Sequence, residues 1–461
     1  MLITDPPGID PSSLRDRMSG RVSAPGDLDW DEARQAWNIA IDQRPAAVAI
    51  PHSVDDVIAI VDFADERGLR VTAQGTGHNA GAFDTLADTI LVKTQEMRGV
   101  EIDADARVAR VAAGTLWIEV TEPASALGLA PLAGSSPDVG VVGYSLGGGS
   151  SWLARKYGLS SNSVVAIELV TADGELVRAD AEHHADLFWA LRGGGGNYGV
   201  VTHMEIRLYP LTEVYAGMMF WPWERSAEVL KAWAAWTRTA PDEVTTSARL
   251  MQIPPLPDIP EFLRGRALVV IDGAFVGDEA AGAALLQPLR DLGPEMDTFA
   301  MIPPVALSRI HMDPEGPTPA IAGGGRMLGD LTDEAIDALV AAVGPGSGSA
   351  LLMSEVRHLG GALGREPEGH GALARFAGEY MMFGVGIPAT PEIAAAIHVG
   401  LAALADALAP WDTGSAYLNF VEEPVDPALF YSAEAYARLR RVKAEVDPEG
   451  RFRGNHAITA G

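Results

Sequence analysis

Hydrophobic positions in the first 210 residues repeat with the period of a helix or of a strand in short, clearly bounded stretches. From Val54 to Val61 the apolar residues recur at helical spacing. Ser53 precedes this run with Asp56 three residues later, which is typical of a capped helix start, and Gly68 follows the last turn. This stretch is therefore predicted to be a helix between Ser53 and Gly68.

The remaining patterns up to Pro210 predict a mixture of strands, helices and tight turns. Residues Asp103–Asp105 and the pair Asp173-Gly174 each interrupt alternating stretches, as hairpin turns do. The predicted elements are a strand at Leu69–Gly75, a hairpin at residues 99–113, a helix at Leu116–Leu127, a hairpin from Val164–Thr171 and Glu175–Arg178, a helix at Ala185–Leu191, and a strand at Val200–Tyr209.

After residue 210 the pattern changes to Pro-rich loops, Ala-rich helices and strands that carry Met or Trp. A strand is predicted at AYLNF (416–420), and a helix over about 433–445. The chain is therefore divided into residues 1–210, residues 211–410 as a second domain, and a segment 411–461 that returns to the first domain. The fold class expected from this order is α+β.

Composition and charge narrow the possible partners. The 461 residues include 48% hydrophobic and 21% charged residues, which is typical of a soluble globular protein. A net charge of −28 would repel nucleic acids and anionic lipids, so neither partner is expected. Residues 1–25 show no signal-peptide pattern, and no membrane span is expected, which favours a cytoplasmic protein. The chain contains no Cys, so disulfides and thiolate metal sites are excluded.

Three glycine-rich stretches mark the N-terminal half: QGTGHNAG (74–81), GSSPDVGVVGYSLGGGSSWLARKYG (134–158) and RGGGGNYG (192–199). Glycine lets backbone N–H groups approach phosphates and ring edges closely, so such loops suit an extended, phosphate-bearing cofactor. His78 stands at the tip of the first loop, directly after a predicted strand. Neither an HExxH motif nor ligands near His183 and His184 support zinc, and no metal is expected.

Two motifs within these stretches suggest other functions. Gly194, Gly196 and Gly199 have the spacing of a dinucleotide fingerprint, but a helix precedes and a strand follows, the reverse of a Rossmann unit. Ser145 lies in a G-x-S-x-G sequence, and His456 follows in hydrolase order. A serine hydrolase is therefore the alternative from another enzyme class. Against it, the only His-Leu-Gly-Gly stretch (358–361) comes after Ser145 instead of before it.

Several stretches together resemble a known family: RPAAVAIPHSVDDV, QGTGHN, SSPDVGVVGYSLGGG and DLFWALRGGGGNYGVV. They are similar to the vanillyl-alcohol-oxidase superfamily of flavoproteins, and the tail YLNF…RFRGNHAI resembles its berberine-bridge-enzyme-like branch. The resemblance implies a PCMH-type FAD-binding domain and a substrate domain built on a large antiparallel sheet. It also implies FAD linked covalently, through its 8α-methyl group, to His78.

The same resemblance implies the other residues of the cofactor site. Ser136 stands where many relatives carry a second, cysteinyl flavin link, so a single covalent link is expected. Val139 occupies the position that controls oxygen access, and a small valine there favours O₂ as the electron acceptor. Gln74 replaces the usual arginine. The further cofactor-binding residues are Gly75, Thr76, Gly77, Asn79, Asp138, Gly143, Gly147, Gly148, Gly149, Gly199, Val200, Asn419 and Asn455.

Three side chains are candidates for the base that removes a substrate proton. If AYLNF is a strand, Tyr417 and Asn419 share one face, and Tyr417 could act as base or as orienting hydroxyl. Glu355 is an acid among apolar residues, whose burial would raise its pKa, although an ion pair with Arg357 is the alternative. Tyr144, beside the second glycine loop, is the third candidate.

The predicted function is a flavin oxidase that takes a hydride from a small substrate and passes the electrons to O₂, giving H₂O₂. The Met and aromatic residues of the second domain favour a largely apolar alcohol, amine or polyketide-like substrate over an oligosaccharide. A flavin oxygenase of secondary metabolism is the related alternative. The sequence does not indicate an oligomeric state.

Overall fold

The N-terminal sheet contains the strand that leads to His78. The computed structural model describes residues 9–83, 85–257 and 259–460. Neighbouring strands of the sheet are, in spatial order, Arg21–Ser23, Ala47–Ile50, Thr89–Lys93 and Arg70–Gln74, and the last three run parallel. Helix Val54–Arg67 covers this sheet. As predicted, Ser53 Oγ accepts from the Asp56 N–H at 3.2 Å, and Gly68 ends the helix in a left-handed conformation.

A second, antiparallel sheet packs behind the glycine-rich stretches. Its strands in spatial order are Val100–Asp103, Val108–Ala112, Val200–Arg207, Val164–Val170 and Leu176–Asp180. Both predicted hairpins are confirmed. Helices Trp117–Ala126, Val141–Leu146 and Ala185–Leu191 pack on the sheet through apolar side chains such as Trp117 and Phe188. The predicted helix at Ala185–Leu191 is confirmed residue for residue.

A large antiparallel sheet spans the second half of the chain. Its strands in spatial order are Met296–Asp297, Val214–Pro222, Ala267–Phe275, Val244–Gln252, Met353–His358, Tyr380–Gly386, Ile321–Leu328 and Asp412–Ala416, with Ala300–Ile302 also paired to Val214–Pro222. Helices Ser226–Thr237, Glu279–Arg290, Asp333–Val343 and Pro391–Leu408 cover one face and enclose an apolar core that includes Trp221 and Trp233. These sheets and helices make an α+β fold, as predicted.

Shorter elements connect these layers. They are the helices Ser12–Arg15, Trp30–Ala33 and Ala154–Tyr157, the paired strands Leu129–Ala130 and Tyr209–Pro210, and the 3₁₀ turns Ala80–Ala82, Thr94–Glu96, Ser160–Ser163, Trp223–Arg225, Pro304–Arg309, Gly361–Gly364, Ala409–Trp411, Leu418–Phe420 and Pro427–Phe430.

The C-terminal segment contacts the N-terminal half of the chain. Helix Ala433–Val446 packs on helix Ala185–Leu191, and Phe452 forms a β-bridge with Val71. The prediction that AYLNF is a strand is wrong, because the strand ends at Ala416 and Leu418–Phe420 forms a 3₁₀ turn. A turn forms here because the Phe420 N–H bonds back to the Tyr417 carbonyl.

Helix Pro391–Leu408 exposes much of its apolar surface. It buries a narrow stripe formed by Ile397, Gly400, Leu404 and Leu408. In the part of the chain that the structure describes, residues 391–411 are long and apolar enough to cross a membrane. Length and composition alone are weak support for a membrane span, and the absence of a membrane partner stays a prediction.

Candidate functional site

His78 is held on several sides by polar and aromatic neighbours. It lies in the loop that follows strand Arg70–Gln74, after Gly77, whose φ of +91° suits glycine. Thr76 Oγ1 lies 2.7 Å from His78 Nδ1. The Trp37 indole stacks on the imidazole with ring centroids 4.0 Å apart. These contacts fix the plane of the imidazole ring.

Asp138 faces the other ring nitrogen of His78 at 3.7 Å from Nε2. Its carboxylate accepts hydrogen bonds from Trp37 Nε1 (2.7 Å), the Gly316 N–H (2.8 Å) and Ser136 Oγ (2.8 Å). Burial acts to raise the pKa of Asp138, but these hydrogen bonds and the neighbouring His78 hold that pKa well below its ordinary value. A negative charge therefore stays beside His78 at neutral pH.

Several buried polar atoms around the first two glycine loops have no hydrogen-bond partner among the described residues: Gln74 Nε2, His78 Nε2, Asn79 Oδ1 and Tyr144 Oη. Buried polar groups in folded proteins are rarely left unpaired, so such a cluster indicates a site for a polar ligand. A Cβ atom added to Gly75 or Gly143 would meet nothing within 4 Å, so these glycines border open space. The surroundings of His78 therefore fit a large polar cofactor such as FAD.

The glycines of the second glycine-rich stretch are explained by close packing, because side chains lie directly against them. A Cβ atom on Gly147 would lie 1.8 Å from Asn419 Oδ1, and one on Gly149 would lie 2.4 Å from Tyr144. Gly148 approaches Leu373 in the same way. Because close packing already explains these glycines, their direct contact with a cofactor stays a prediction.

The remaining predicted cofactor residues fall into two groups. Asn455 lies at the histidine loop, where its side chain donates to the Asn79 carbonyl, and Val139 is half-buried beside Asp138. Gly199 and Val200 are enclosed by strand Val164–Val170, and Val200 is buried. Both residues are packed in the core of the protein, and their contact with a cofactor stays a prediction.

Tyr417 and Asn419 converge as expected, although by a turn instead of strand periodicity. The Tyr417 hydroxyl accepts hydrogen bonds from Asn419 Nδ2 (2.8 Å) and from the Gly149 N–H (2.9 Å). The Phe420 ring stacks on Tyr417, with the ring centroids 5.3 Å apart. Burial raises the pKa of Tyr417 above its ordinary value, although both hydrogen bonds oppose the shift. Tyr417 is thus a protonated, firmly oriented hydroxyl at neutral pH.

Tyr144 lies across the same loop, and its ring packs edge-on against Trp117 at 5.4 Å. Burial raises its pKa well above the ordinary value, and the nearby Tyr417 adds to this effect. A neutral phenol of this kind can donate a hydrogen bond but is a poor base at neutral pH.

The serine-hydrolase alternative is contradicted by the geometry around Ser145. Ser145 lies within helix Val141–Leu146 and is fully buried, whereas a nucleophile elbow exposes its serine between a strand and a helix. Its hydroxyl lies 3.4 Å from Ser160 Oγ. His456 Nε2 instead faces the carbonyls of Leu418 (3.3 Å) and Val421 (3.2 Å). Ser145 is therefore a buried helix residue.

Glu355 belongs to a group of buried charges on the inner face of the large sheet. Arg357 Nε donates to Glu355 Oε1 at 2.6 Å, and His311 Nε2 lies 3.3 Å from the same oxygen. Burial alone would raise the pKa of Glu355, but Arg357 and His311 hold it well below its ordinary value. The predicted raised pKa of Glu355 is therefore wrong, whereas its alternative, the ion pair with Arg357, is confirmed. Glu355 is a stable carboxylate with little capacity as a base.

Sequence reasoning did not identify most members of this group, called here the ionic cluster: Arg249, Asp272, His311, Asp313, Glu355 and Arg357. Arg249 Nη2 pairs with Asp272 Oδ2 at 2.6 Å, and His311 Nδ1 lies 2.7 Å from Asp313 Oδ1. Burial and Arg249 lower the pKa of His311, but the three carboxylates raise it to about 9. Charges within otherwise apolar strands were the signal that could have located Arg249 and Asp272.

The residues that suggested an apolar substrate lie mainly in hydrophobic cores. Met219, Trp221 and Met382 face the covering helices, and Met218 and Phe220 pack with Leu263. A pocket between the large sheet and the second glycine loop is lined instead mainly by polar residues: Ser135, Ser150, Ser151, Trp152, Thr245, Thr246, Ser247, Arg357, His358 and Leu359. This lining gives no support to a largely apolar substrate.

Comparisons with known proteins identify an FAD-binding domain in this chain. Residues 45–180 match the family model "FAD binding domain", and residues 416–459 match "Berberine and berberine like". An uncharacterized FAD-linked oxidoreductase of Bacillus subtilis is 28% identical over 458 residues, which cover 96% of this chain and 97% of the relative.

Two further comparisons concern a relative of known reaction and a solved structure. (R)-6-hydroxynicotine oxidase of Paenarthrobacter nicotinovorans is 34% identical over 205 residues, 44% of this chain and 45% of that enzyme. The structure of Physcomitrella patens BBE-like 1 matches with a TM-score of 0.86 at 20% identity, covering 98% of this chain and 100% of that chain. The matches confirm the predicted fold and the resemblance stated above.

Proposed function

We propose an oxidase function for this chain, which belongs to the berberine-bridge-enzyme-like family of FAD-dependent oxidoreductases. In this proposal, FAD is linked covalently to His78 and oxidises a small alcohol or amine. The observation that carries the proposal is the environment of His78. Its imidazole is held by Thr76, Trp37 and Asp138, while Nε2 has no hydrogen-bond partner among the described residues.

The residues that would hold FAD are those of the histidine loop and its neighbours. Gln74, Asn79 and Tyr144 supply buried polar atoms whose hydrogen bonds are otherwise unmade. Bound FAD supplies the two-electron step, accepting a hydride from a substrate C–H bond and passing the electrons to O₂ to form H₂O₂. Asp138, 3.7 Å from Nε2, would keep the imidazole oriented.

Tyr417 is the residue proposed to orient the reacting hydroxyl or amine. Both of its acceptor positions are occupied, by Asn419 and by the Gly149 N–H. The phenolic proton is therefore left to donate to a substrate oxygen or nitrogen. Because the raised pKa keeps the phenol protonated, this role is positioning, and the substrate proton leaves through another acceptor.

The oxidase reaction is tested by its stoichiometry. Purified protein is screened against alcohols and amines, with O₂ consumption and H₂O₂ release measured together. We expect about one H₂O₂ per substrate oxidised, as hydride transfer followed by reoxidation requires. A much lower peroxide yield with oxygen in the product would indicate an oxygenase. A reduced flavin that reacts with an artificial dye but not with O₂ would contradict the oxidase proposal.

A further inference from the structure

Arg357 lies on the face of the large sheet that is turned away from the covering helices. In the antiparallel register Arg357 pairs with Ser247, and Glu355 pairs with Arg249. Ser247 also pairs with Asp272 on the next strand. Since paired residues share one side of a sheet, these side chains form one polar patch, facing the second glycine loop.

The guanidinium of Arg357 is only partly used within the protein. Nε donates to Glu355 Oε1, and the guanidinium carbon lies 4.7 Å from the centre of the Phe420 ring. Within the described residues, neither Nη1 nor Nη2 has a hydrogen-bond acceptor. The side chain keeps 14% of its surface exposed and lines the pocket described above. Two nitrogens of a partly exposed guanidinium are thus left free to donate to a ligand.

The ionic cluster balances the charge of Arg357 but leaves its Nη donors unused. Glu355 would neutralise Arg357 if it were its only partner, but His311 shares the same carboxylate oxygen. With His311 protonated, the cations Arg249, His311 and Arg357 balance the carboxylates of Asp272, Asp313 and Glu355. The Nη groups of Arg357 can therefore donate charge-assisted hydrogen bonds to an anion while Nε stays bonded to Glu355.

The cavity itself is polar enough for such a ligand. The lining residues that carry hydroxyl groups include Ser135, Ser150, Ser151 and Thr245. Trp152 Nε1 and His358 Nδ1, from two other lining residues, are buried without a hydrogen-bond partner among the described residues. Burial and the nearby Arg155 lower the pKa of His358 to about 3, so its imidazole is neutral. Apart from Arg357, the lining therefore offers uncharged donors and acceptors.

We propose that Arg357 binds a carboxylate of the substrate through its paired Nη donors, and so selects acidic substrates. The two oxygens of a carboxylate match the spacing of two parallel guanidinium N–H groups, which is the basis of bidentate recognition. Arg357 stacks on Phe420, and Phe420 stacks on Tyr417, so the anchored group lies near the hydroxyl assigned to orient the reacting atom. This inference rests on the proposed function and narrows its substrate class.

The proposal is tested by measuring how tightly benzoate binds to the purified protein, with its bound flavin left in place. Benzamide, which has nearly the same shape but no charge, is the control ligand. Calorimetry gives the affinities, and the flavin absorbance gives a second reading of the same titration. We expect benzoate to bind at least about tenfold more tightly than benzamide, since hydrogen bonds to charged groups are worth that much. Equal affinities would overturn the proposal.

Variants locate the site. Arg357→Gln should weaken benzoate binding by at least about tenfold and leave benzamide unchanged. Arg357→Lys keeps the charge but loses the paired donors. Its affinity for benzoate should lie between those of the wild type and Arg357→Gln. The double variant Arg357→Gln with Glu355→Gln avoids an unpaired buried carboxylate if the single variant fails to fold. Arg326→Gln is the control, because Arg326 pairs with Asp412 on the same sheet outside the cavity.

The two proposals fail in different ways. A wild-type protein that stays without flavin when FAD is supplied contradicts the proposed oxidase, while calorimetry still reports on Arg357. A flavin-bearing oxidase whose Arg357→Gln variant binds benzoate as tightly as the wild type contradicts the carboxylate anchor alone.

Discussion

The imidazole of His78 stacks on the indole of Trp37, with centroids 4.0 Å apart and planes inclined by 19°. The same indole donates through Nε1 to Asp138, whose carboxylate lies 3.7 Å from His78 Nε2. Trp37 and Asp138 thus form a rigid support for the imidazole. Such preorganisation favours the formation of one particular bond at His78.

Replacing Asp138 by Asn tests the electrostatic part of this support. The amide keeps the size of the side chain but removes the negative charge beside His78. We expect a smaller fraction of the flavin to be covalently bound, measured as flavin retained in an acid-precipitated pellet divided by total flavin. Asp173→Asn, in the turn of a distant hairpin, serves as the control. An unchanged covalent fraction in Asp138→Asn would show that the charge has no role in attachment.

Replacing Tyr417 by Phe tests the orienting hydroxyl. The change removes the acceptor for Asn419 and the Gly149 N–H while keeping the ring contact with Phe420. We expect kcat to fall by about 100-fold, the order of magnitude for misplacing a reacting group, with unchanged flavin content. Tyr198→Phe is the matched control, because that buried hydroxyl donates to the Leu439 carbonyl. Equal activity of the two variants would exclude the role given to Tyr417.

Replacing Val139 by Ile tests oxygen access. Val139 is half-buried next to Asp138, and its carbonyl accepts from the Trp117 N–H, so the backbone position is fixed. We expect the larger side chain to narrow the path to the flavin and slow reoxidation by O₂, followed by stopped-flow absorbance. Reoxidation by a dye that accepts electrons at the flavin edge should be unaffected. A parallel slowing of both reactions would point to a general distortion.

The ionic cluster predicts a pH dependence of stability. The folded-state pKa of His311, about 9, lies above its ordinary value of 6.5. The stabilisation is therefore complete below the unfolded-state pKa and is lost as the pH rises through about 9. Between about pH 6 and about pH 10, the unfolding free energy of the wild type should fall by about 3 kcal/mol more than that of His311→Gln.

Urea titrations at the two pH values measure this difference. His398→Gln, on the exposed side of helix Pro391–Leu408, should behave as the wild type does. If His311→Gln shows the same loss as the wild type, His311 is not protonated within the cluster.

Elements set by local signals were predictable from the sequence. The helix after Ser53, the helix Ala185–Leu191 and the hairpin at Asp173-Gly174 depend on capping, periodicity and turn residues close together in the chain. The strand predicted at AYLNF failed because its conformation depends on distant partners. Asn419 donates to the carbonyl of Tyr144 in the second glycine loop, a contact that local periodicity does not encode.

The same distinction between local signals and distant contacts applies to the candidate site. His78 and its glycine loop were identified from a motif, and Asp138 from its place in a second motif. The ionic cluster was missed, although Glu355 and Arg357 were recognised as a possible pair. Its other members come from separate strands and a loop, and they meet Glu355 only through sheet register and the path of the chain around His311. Trp37 was missed because no motif surrounds it.

The most direct test of the central claim is an absorbance spectrum of the purified protein, repeated on the acid-precipitated and washed pellet, for the wild type and for His78→Ala. We predict flavin bands that stay with the wild-type pellet and are absent from the variant pellet. A wild-type protein that is colourless, and stays so when FAD is supplied, would contradict the account. Flavin retained in the His78→Ala pellet would contradict the assignment of the covalent link to His78.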